Sequence, residues 1–143
     1  EVIDGSVSGS TSSGGLNRAE WTLSEANIDL MILCLGANDM LRGISPKETK
    51  KNLEKIIKTA QNKNIKVILA GMIAPTSHGF KYKKNFDKIY PDLSNQYNLP
   101  LIPFLLEDVA LRPELNLSDG MHPNAKGTFV ISKTLHEMIL KNL

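Results

Sequence analysis

The sequence predicts an α/β protein in which helices cover both faces of a parallel sheet. The predicted elements alternate as strand, helix, strand, helix, strand, helix, an order that favours crossover connections between parallel strands. The first full strand, Asp29–Leu35, is a continuous apolar run after its first residue rather than an alternating pattern. Such a run is typical of a parallel strand that is buried on both faces.

The N-terminal part is expected to be a loop followed by a helix. Residues Gly5–Gly15 are rich in Ser and Gly, a composition that in isolation is typical of a flexible connector. A helix is predicted over Leu16–Glu25, with Trp21 packed against the rest of the protein. Cys34, inside the strand that follows, is predicted to be a small core residue rather than a reactive thiol.

A second helix and a second strand are predicted next. The segment Ser45-Pro46-Lys47-Glu48 resembles a capping box, in which the Ser hydroxyl accepts a backbone N–H and proline occupies the first helical position. Apolar residues then recur at helical spacing. They are Leu53, Ile56, Ile57 and Ala60. After a turn, Ile65–Gly71 is predicted to be a second buried strand.

The C-terminal half is expected to contain two helices and one strand. An amphipathic helix runs from Tyr82 to Tyr97, and Pro91 should kink or split it. Prolines interrupt the short third strand, Leu99–Phe104, which places it near a sheet edge. A final helix begins at Asn124. Its apolar residues are Phe129, Ile131, Leu135 and Met138.

Length and composition indicate one globular domain over residues 1–143. The 143 residues are 41% hydrophobic and 22% charged, enough for a core and too few for two independent domains. A net charge of +2 predicts no nucleic-acid partner. The longest apolar stretch, Leu30–Leu35, is too short for stable membrane insertion. The single cysteine excludes an internal disulfide framework, and the compartment stays open between periplasmic, secreted and cytoplasmic.

Ligands of parallel sheets bind beyond the carboxyl ends of the strands, so the loops there are the expected site. The last such loop carries Asp119 and His122. The carboxylate can fold back to accept from the imidazole Nδ1–H, which fixes the tautomer and leaves Nε2 free to act as a base. The alternative interpretation is that Asp119-Gly120 makes a turn and Pro123 starts a helix.

Two other loops carry candidate groups. In Gly36-Ala37-Asn38-Asp39, the Asn38 amide is a usable oxyanion donor. The alternative is that Asn38 and Asp39 terminate the strand or cap a helical turn. The loop Ser6–Thr11 offers backbone N–H groups to an anion, but it lacks the ending of a nucleotide P-loop and a dinucleotide-binding glycine spacing. Phosphate binding is therefore not supported.

Taken together, these segments resemble the SGNH (GDSL-type) hydrolase family, in particular its branch of bacterial thioesterase I/lysophospholipase L1 enzymes and arylesterases. The matching segments occur in the family's order and extend over essentially the whole chain. They are Ser6-Val7-Ser8-Gly9, Leu35–Gly43, Ile89-Tyr90-Pro91 and Asp119–Asn124.

The resemblance implies a flavodoxin-like, three-layer α/β/α fold and acyl transfer from a small acyl ester to water through a serine ester. It implies no metal and no organic cofactor. His122 would be the general base and Asp119 its orienting partner. The backbone N–H of Gly9 and the side-chain amide of Asn38 would bind the developing oxyanion.

The family's nucleophile lies in a Gly-Asp-Ser block after the first strand, and this sequence contains no such block. The serines of the first loop (Ser8, Ser10, Ser12 and Ser13) are interpreted as loop hydroxyls. The family's first strand would lie beside Asp29–Leu35, which otherwise presents an unpaired apolar edge. We therefore expect a domain incomplete at its N-terminus. A strand–turn–helix segment of roughly 30 residues or more, in the same protein or a companion chain, would complete it. Alone, the chain is expected to be inactive or poorly folded.

Two other functions stay open from the sequence. One is a flavodoxin-like binding module whose first loop holds a flavin phosphate. The other is a catalytically inactive remnant of the hydrolase family that is kept for partner binding. Only the enzyme predicts that replacing His122 abolishes ester turnover. Lysophospholipids, thioesters, aryl esters and acetylated sugars all fit as substrates.

Overall fold

A computed structural model describes residues 1–25 and 27–143. Within these residues, three strands form one parallel sheet in the order β1-β2-β3. The strands are β1, Leu30–Leu33; β2, Lys66–Ala70; and β3, Leu101–Ile102. Leu30 lies opposite Lys66, and Leu69 lies opposite Leu101. The predicted α/β class with a parallel sheet is confirmed, although each strand is shorter than predicted.

Six helices surround this sheet in the described part of the chain. They are α1, Ser12–Thr22; α2, Ala37–Leu41; α3, Pro46–Asn62; α4, Phe80–Asp87; α5, Ile89–Tyr97; and α6, Ala125–Asn142. Two 3₁₀ turns, Thr76–His78 and Pro113–Leu115, lie in the connections. None of the helices in the described ranges is long and apolar enough to cross a bilayer.

Helix α1 begins four residues earlier than predicted, inside the segment interpreted as a connector. The Thr11 side chain accepts a hydrogen bond from the Gly14 N–H at 3.2 Å, and Asp39 accepts from the Ser12 N–H at 2.7 Å. These acceptors satisfy N–H groups that a helix start leaves without partners, so helix formation extends into Ser- and Gly-rich sequence. The predicted packing of Trp21 is wrong, because its side chain is 75% exposed.

Helix α3 begins at Pro46, as predicted, but without the capping box. The Ser45 side chain makes no capping hydrogen bond. Its carbonyl oxygen instead accepts from the N–H groups of Glu48 and Thr49, at 2.9 and 3.0 Å. The predicted apolar face of α3 is at most 3% exposed and forms the centre of the core, with Leu53, Ile56, Ile57 and Ala60.

The helix predicted around Pro91 is split, as expected. Helix α4 ends at Asp87 and α5 begins at Ile89. Asp87 lies four residues before Pro91, at the position whose carbonyl a proline ring would meet in a continuous helix. The break therefore falls on the N-terminal side of the proline rather than at it.

Strand β2 lies at the centre of the sheet and is covered on both sides. Its residues Val67 to Ala70 are all buried, and successive side chains of a strand point to opposite faces. At its amino end, Lys66 Nζ donates to the carbonyl oxygens of Asn142 and Leu143, at 3.1 and 3.0 Å. The 18 residues of α6 span about 27 Å. Near its amino end, a Cβ at Gly127 would lie 3.1 Å from a methyl group of Val109, in the segment that follows β3, so this end lies toward the carboxyl ends of the strands.

Strand β1 pairs only with β2 in the described residues, which leaves its other edge unpaired. Leu30, Met31 and Ile32 are only half-buried, and Leu33 is buried. The prediction of Cys34 as a core residue is wrong, since its side chain is exposed. Protein atoms around the thiol nevertheless displace enough water to raise its pKa.

Candidate active site

Asp119 and His122 form a hydrogen-bonded pair in the loop before α6. The imidazole Nδ1 lies 2.7 Å from Asp119 Oδ2. Oδ1 accepts from the backbone N–H groups of His122 and Met121, at 3.0 and 2.9 Å. These backbone bonds, with the smaller contribution of the imidazole, lower the pKa of Asp119 to about 2. The carboxylate is therefore ionised at neutral pH, and it engages Nδ1 so that Nε2 is left to face solvent.

The alternative turn interpretation holds at the same time as this pair. The Gly120 N–H donates to the Leu117 carbonyl at 2.9 Å, and Gly120 has a φ of +70°. Asn124, not Pro123, caps α6, because its side chain accepts from the N–H groups of Lys126 and Gly127. The turn reverses the chain between Asp119 and His122, and this reversal lets one carboxylate reach both the backbone and the imidazole of the same loop.

Asn116 anchors the loop that carries Asp119 and His122 through hydrogen bonds of its buried side chain, and nothing in the sequence indicated this role. Its side chain is buried and donates to the carbonyl oxygens of Val109 and Arg112, at 2.7 and 2.8 Å. The Leu117 N–H donates to the His122 carbonyl at 2.7 Å, and the Asn124 amide donates to the Asn116 carbonyl at 3.1 Å. The His122 backbone is thereby fixed, although its side chain is 68% exposed.

Gly9 and Asn38 lie close together at the start of α1 and α2. Gly9 has a φ of +73° in a turn that is closed by the Ser10 N–H on the Val7 carbonyl, at 3.1 Å. The Asn38 amide donates to the carbonyl of Ser10, the residue after Gly9, at 3.1 Å. Within the described ranges, nothing accepts a hydrogen bond from the Gly9 N–H. This N–H and the second proton of the Asn38 amide are therefore available to a ligand.

Asp39, next to Asn38, is the centre of a buried polar cluster that the sequence analysis missed. It is 1% exposed and accepts from the Ser12 N–H at 2.7 Å, the Ser12 hydroxyl at 2.5 Å and the Thr49 hydroxyl at 3.0 Å. The Asn52 amide donates to the Ser12 hydroxyl at 3.0 Å. Asp39 was interpreted as a possible cap for its own segment, whereas it caps α1, which is distant in sequence.

Two tyrosine hydroxyls hold the ends of the loop that carries Asn38. Tyr90 donates to the Leu35 carbonyl at 2.9 Å, and Tyr82 donates to the Ile44 carbonyl at 2.8 Å. Burial raises the pKa of both tyrosines, so both hydroxyls keep the proton that they donate. The Phe86 ring lies between them, with centroid distances of 6.0 Å to Tyr82 and 5.9 Å to Tyr90.

The structure brings the four predicted site residues together as two pairs. Asn38 follows β1, and His122 precedes the end of α6 that lies toward the carboxyl ends of the strands. Both pairs therefore lie toward the carboxyl ends of the strands. In the part of the chain that the structure describes, no hydrogen bond joins one pair to the other. Residues 1–25 and 27–143 contain no group of three or more His, Cys, Asp or Glu side chains placed to hold a metal ion.

Comparison with known proteins connects this arrangement to a family. The model of the GDSL-like Lipase/Acylhydrolase family matches residues 1–128. The arylesterase of Vibrio mimicus is 36% identical over 142 residues, which cover 99% of this chain and 71% of that protein. Thioesterase 1/protease 1/lysophospholipase L1 of Escherichia coli K12 is 36% identical over 123 residues, 86% of this chain and 59% of that protein.

A solved structure agrees with the sequence comparison. The psychrotrophic esterase EstA from Pseudoalteromonas sp., solved in a form inhibited by monoethylphosphonate, superposes with a TM-score of 0.92 at 32% identity. The match covers 97% of this chain and 76% of that one. Fold, sequence and the matched segment, which includes all four loop residues, lead to one assignment: the chain belongs to the GDSL-like lipase/acylhydrolase family, the SGNH hydrolases.

Proposed function

We propose that this chain forms most of a serine esterase that hydrolyses carboxylic esters and thioesters, with His122 as general base and Asp119 as its orienting partner. The observation that carries the proposal is the 2.7 Å contact between Nδ1 of His122 and Oδ2 of an ionised Asp119. A carboxylate in this position stabilises the imidazolium that forms when Nε2 takes a proton. The exposure of His122 leaves Nε2 open to a nucleophile and a substrate.

In the proposed reaction, Nε2 takes the proton of a serine hydroxyl while the serine oxygen bonds to the acyl carbon. The carbonyl electron pair moves onto its oxygen, where the Gly9 N–H and the Asn38 amide stabilise the negative charge. When the carbonyl re-forms, the bond to the leaving alkoxide or thiolate breaks, and the imidazolium gives that group its proton. Water then repeats the same sequence on the acyl-serine.

We further propose that the nucleophilic serine comes from a strand–turn–helix segment outside these 143 residues, in the same protein or in a companion chain. The unpaired edge of β1 supports this proposal, because such an edge accepts one more parallel strand. In a parallel sheet, the residues after that strand would lie at the carboxyl ends of the strands, as Asn38 and His122 do. Two serines of the first loop already have other hydrogen-bond partners. The buried Ser12 hydroxyl donates to Asp39, and the Ser10 hydroxyl accepts from Arg18 at 2.6 Å.

The substrate class follows from the names of the relatives, which are an arylesterase and a thioesterase with lysophospholipase activity. Both leaving groups suit the proposed site, since an imidazolium protonates a departing alkoxide, and a thiolate is a weaker base that depends less on this protonation. We therefore propose that small-molecule oxygen esters and thioesters are both hydrolysed.

Turnover of p-nitrophenyl acetate by the complete gene product tests the catalytic assignment. We expect His122→Ala to lower kcat by at least about 10³-fold and Asn38→Ala by about 10²–10³-fold. His136→Ala is the matched control, because this histidine is exposed on α6 and has no place in the proposed reaction. Equal activity of the His122 and His136 variants would overturn the assignment.

An ethyl phosphonate ester tests the origin of the nucleophile. After inactivation, peptide mass mapping identifies the modified serine. We expect the label outside residues 1–143 and no ester turnover by the 143-residue chain alone. A label on Ser8, Ser10, Ser12 or Ser13 would contradict the proposed segment while leaving His122 as the base.

A further inference from the structure

We propose that Asp39 is a positioning residue of this site, which fixes the Gly9 N–H and the Asn38 amide relative to each other. The inference rests on the proposed oxyanion role of these two groups. Asp39 itself faces the interior and is 1% exposed, which places its side chain out of reach of a bound substrate. Its effect would act through Ser12 on one side and through the backbone of α2 on the other.

Both carboxylate oxygens of Asp39 are directed at Ser12. Oδ2 accepts from the Ser12 backbone N–H at 2.7 Å, and Oδ1 accepts from its hydroxyl at 2.5 Å. Ser12 is the first residue of α1, and Gly9 lies only three residues before it. Two bonds to one residue restrain both the position and the rotation of the helix start, so the turn containing Gly9 has little freedom to move away from α2.

Asn38 and Asp39 are consecutive residues of the short helix α2, so the rotation of this helix sets the direction of both side chains. When Asp39 points at Ser12, the Asn38 amide reaches the Ser10 carbonyl at 3.1 Å. The same turn is also held by Arg42, whose guanidinium donates to the Gly9 carbonyl at 3.1 Å. Asp39 is the buried part of this connection, where solvent does not weaken its hydrogen bonds.

The complete set of hydrogen bonds to the buried Asp39 strengthens this restraint. In residues 1–25 and 27–143, no Lys or Arg side chain forms an ion pair with Asp39, and its partners are neutral donors. A buried carboxylate without a cation is tolerated only when its hydrogen bonds are complete. Any displacement of Ser12 would leave an oxygen without its donors, so alternative arrangements of α1 and α2 are disfavoured.

Two hydroxyl groups bind the same oxygen of Asp39 and provide a matched test. The Ser12 hydroxyl connects Asp39 to the turn with Gly9, whereas the Thr49 hydroxyl connects it to α3. Ser12→Ala and Thr49→Val each remove one hydroxyl donor with little change in volume. Both variants should lower the unfolding temperature, but only Ser12→Ala should disturb the two proposed oxyanion donors.

The kinetic readout uses p-nitrophenyl acetate and the complete gene product. We expect Ser12→Ala to lower kcat about 10- to 100-fold with KM changed less than threefold, because the donors act mainly on the transition state. Thr49→Val should keep kcat within twofold. If the two variants lower kcat equally, or if neither does, the positioning role of Asp39 is overturned.

A second readout does not require activity. Backbone ¹⁵N relaxation of the Gly9 amide in the same proteins should give an order parameter near 0.85 for the parent and Thr49→Val, and a clearly lower value for Ser12→Ala. Equal order parameters in all three proteins would overturn the inference. Absence of ester turnover in the parent would instead count against the proposed function, while the relaxation data would still decide on Asp39.

Discussion

The hydroxyl of Tyr90 donates a 2.9 Å hydrogen bond to the carbonyl oxygen of Leu35, which lies two residues after the end of β1. The next residue is Gly36, which turns the chain into α2 with a φ of +113°. A Cβ at Gly36 would overlap the Tyr90 hydroxyl. The start of the loop with Asn38 and Asp39 thus depends on the close approach of a buried tyrosine to a residue without a side chain.

Gly36→Ala should therefore destabilise the protein by roughly 2–5 kcal/mol, as the sum of backbone strain and overpacking. Urea unfolding measures this loss. Gly79→Ala is the matched control, since Gly79 also has a positive φ, of +85°, but has nothing within 4 Å of the added carbon. It should lose only about 1–3 kcal/mol, from its backbone conformation alone. Equal losses at the two glycines would contradict the role of Tyr90.

Gly36→Ala should lower the free energy of unfolding less in a Tyr90→Phe background than in the parent protein. The Tyr90→Phe change removes the oxygen that overlaps the added methyl group, although it also leaves the Leu35 carbonyl without its donor. A double-mutant cycle measured by urea unfolding should give a coupling energy of about 1 kcal/mol or more. Additive losses would show that the strain at Gly36 arises from its φ alone.

The lowered pKa of Asp119 predicts a pH dependence of stability. Its pKa is about 2 in the folded protein, below the value of about 3.9 in an unfolded chain, so folding favours the ionised form. The resulting stabilisation is present above about pH 4 and is lost as the pH falls through 2. Urea unfolding of the parent and Asp119→Asn should therefore differ by a constant amount above about pH 4, and this difference should shrink toward pH 2. A difference that is independent of pH down to 2 would contradict the assigned shift.

Asn116→Ala should destabilise the loop that carries His122. The buried amide of Asn116 is the donor to the Val109 and Arg112 carbonyls, and its removal should cost about 1–3 kcal/mol of the free energy of unfolding. The loss is measured by urea unfolding. Asn85→Ala, at an exposed position of α4, should stay within about 0.5 kcal/mol of the parent. If Asn116→Ala were equally neutral, the amide would not be an anchor of this loop.

Sequence patterns were sufficient where one element determines its own structure. The apolar spacing of α3 placed its buried face, Pro91 predicted the break between α4 and α5, and the interval between Asp119 and His122 predicted their contact. Patterns failed where a distant residue decides the outcome. The start of α1 depends not only on the local cap Thr11 but also on Asp39, which is 27 residues away from Ser12, so the Ser- and Gly-rich segment alone did not indicate a helix.

The same limit explains the residues that were missed or misjudged. Asn116 acts on carbonyl groups four and seven residues before it, and no periodic pattern marks such contacts. Trp21 and Cys34 were judged from hydrophobicity and neighbours, but their exposure depends on which surfaces lie opposite them. Sequence periodicity reports that a face is apolar, and the tertiary structure alone decides what covers it.

Cys34 gives a direct measurement of the surface beside β1. The thiol is exposed, so it should react with an aromatic disulfide reagent such as DTNB in the native 143-residue chain. Because surrounding protein atoms displace water from the thiol and raise its pKa, less thiolate is present at pH 7 than in free cysteine. The reaction should therefore be slower than that of free cysteine and should accelerate as the pH rises past 9. Cys34→Ser, in which no thiol remains, is the control for the reagent.

If the proposed strand–turn–helix segment covers this side of β1, labelling in the complete gene product should be at least about tenfold slower than in the 143-residue chain. Equal rates in the two proteins would show that the segment, if present, docks elsewhere.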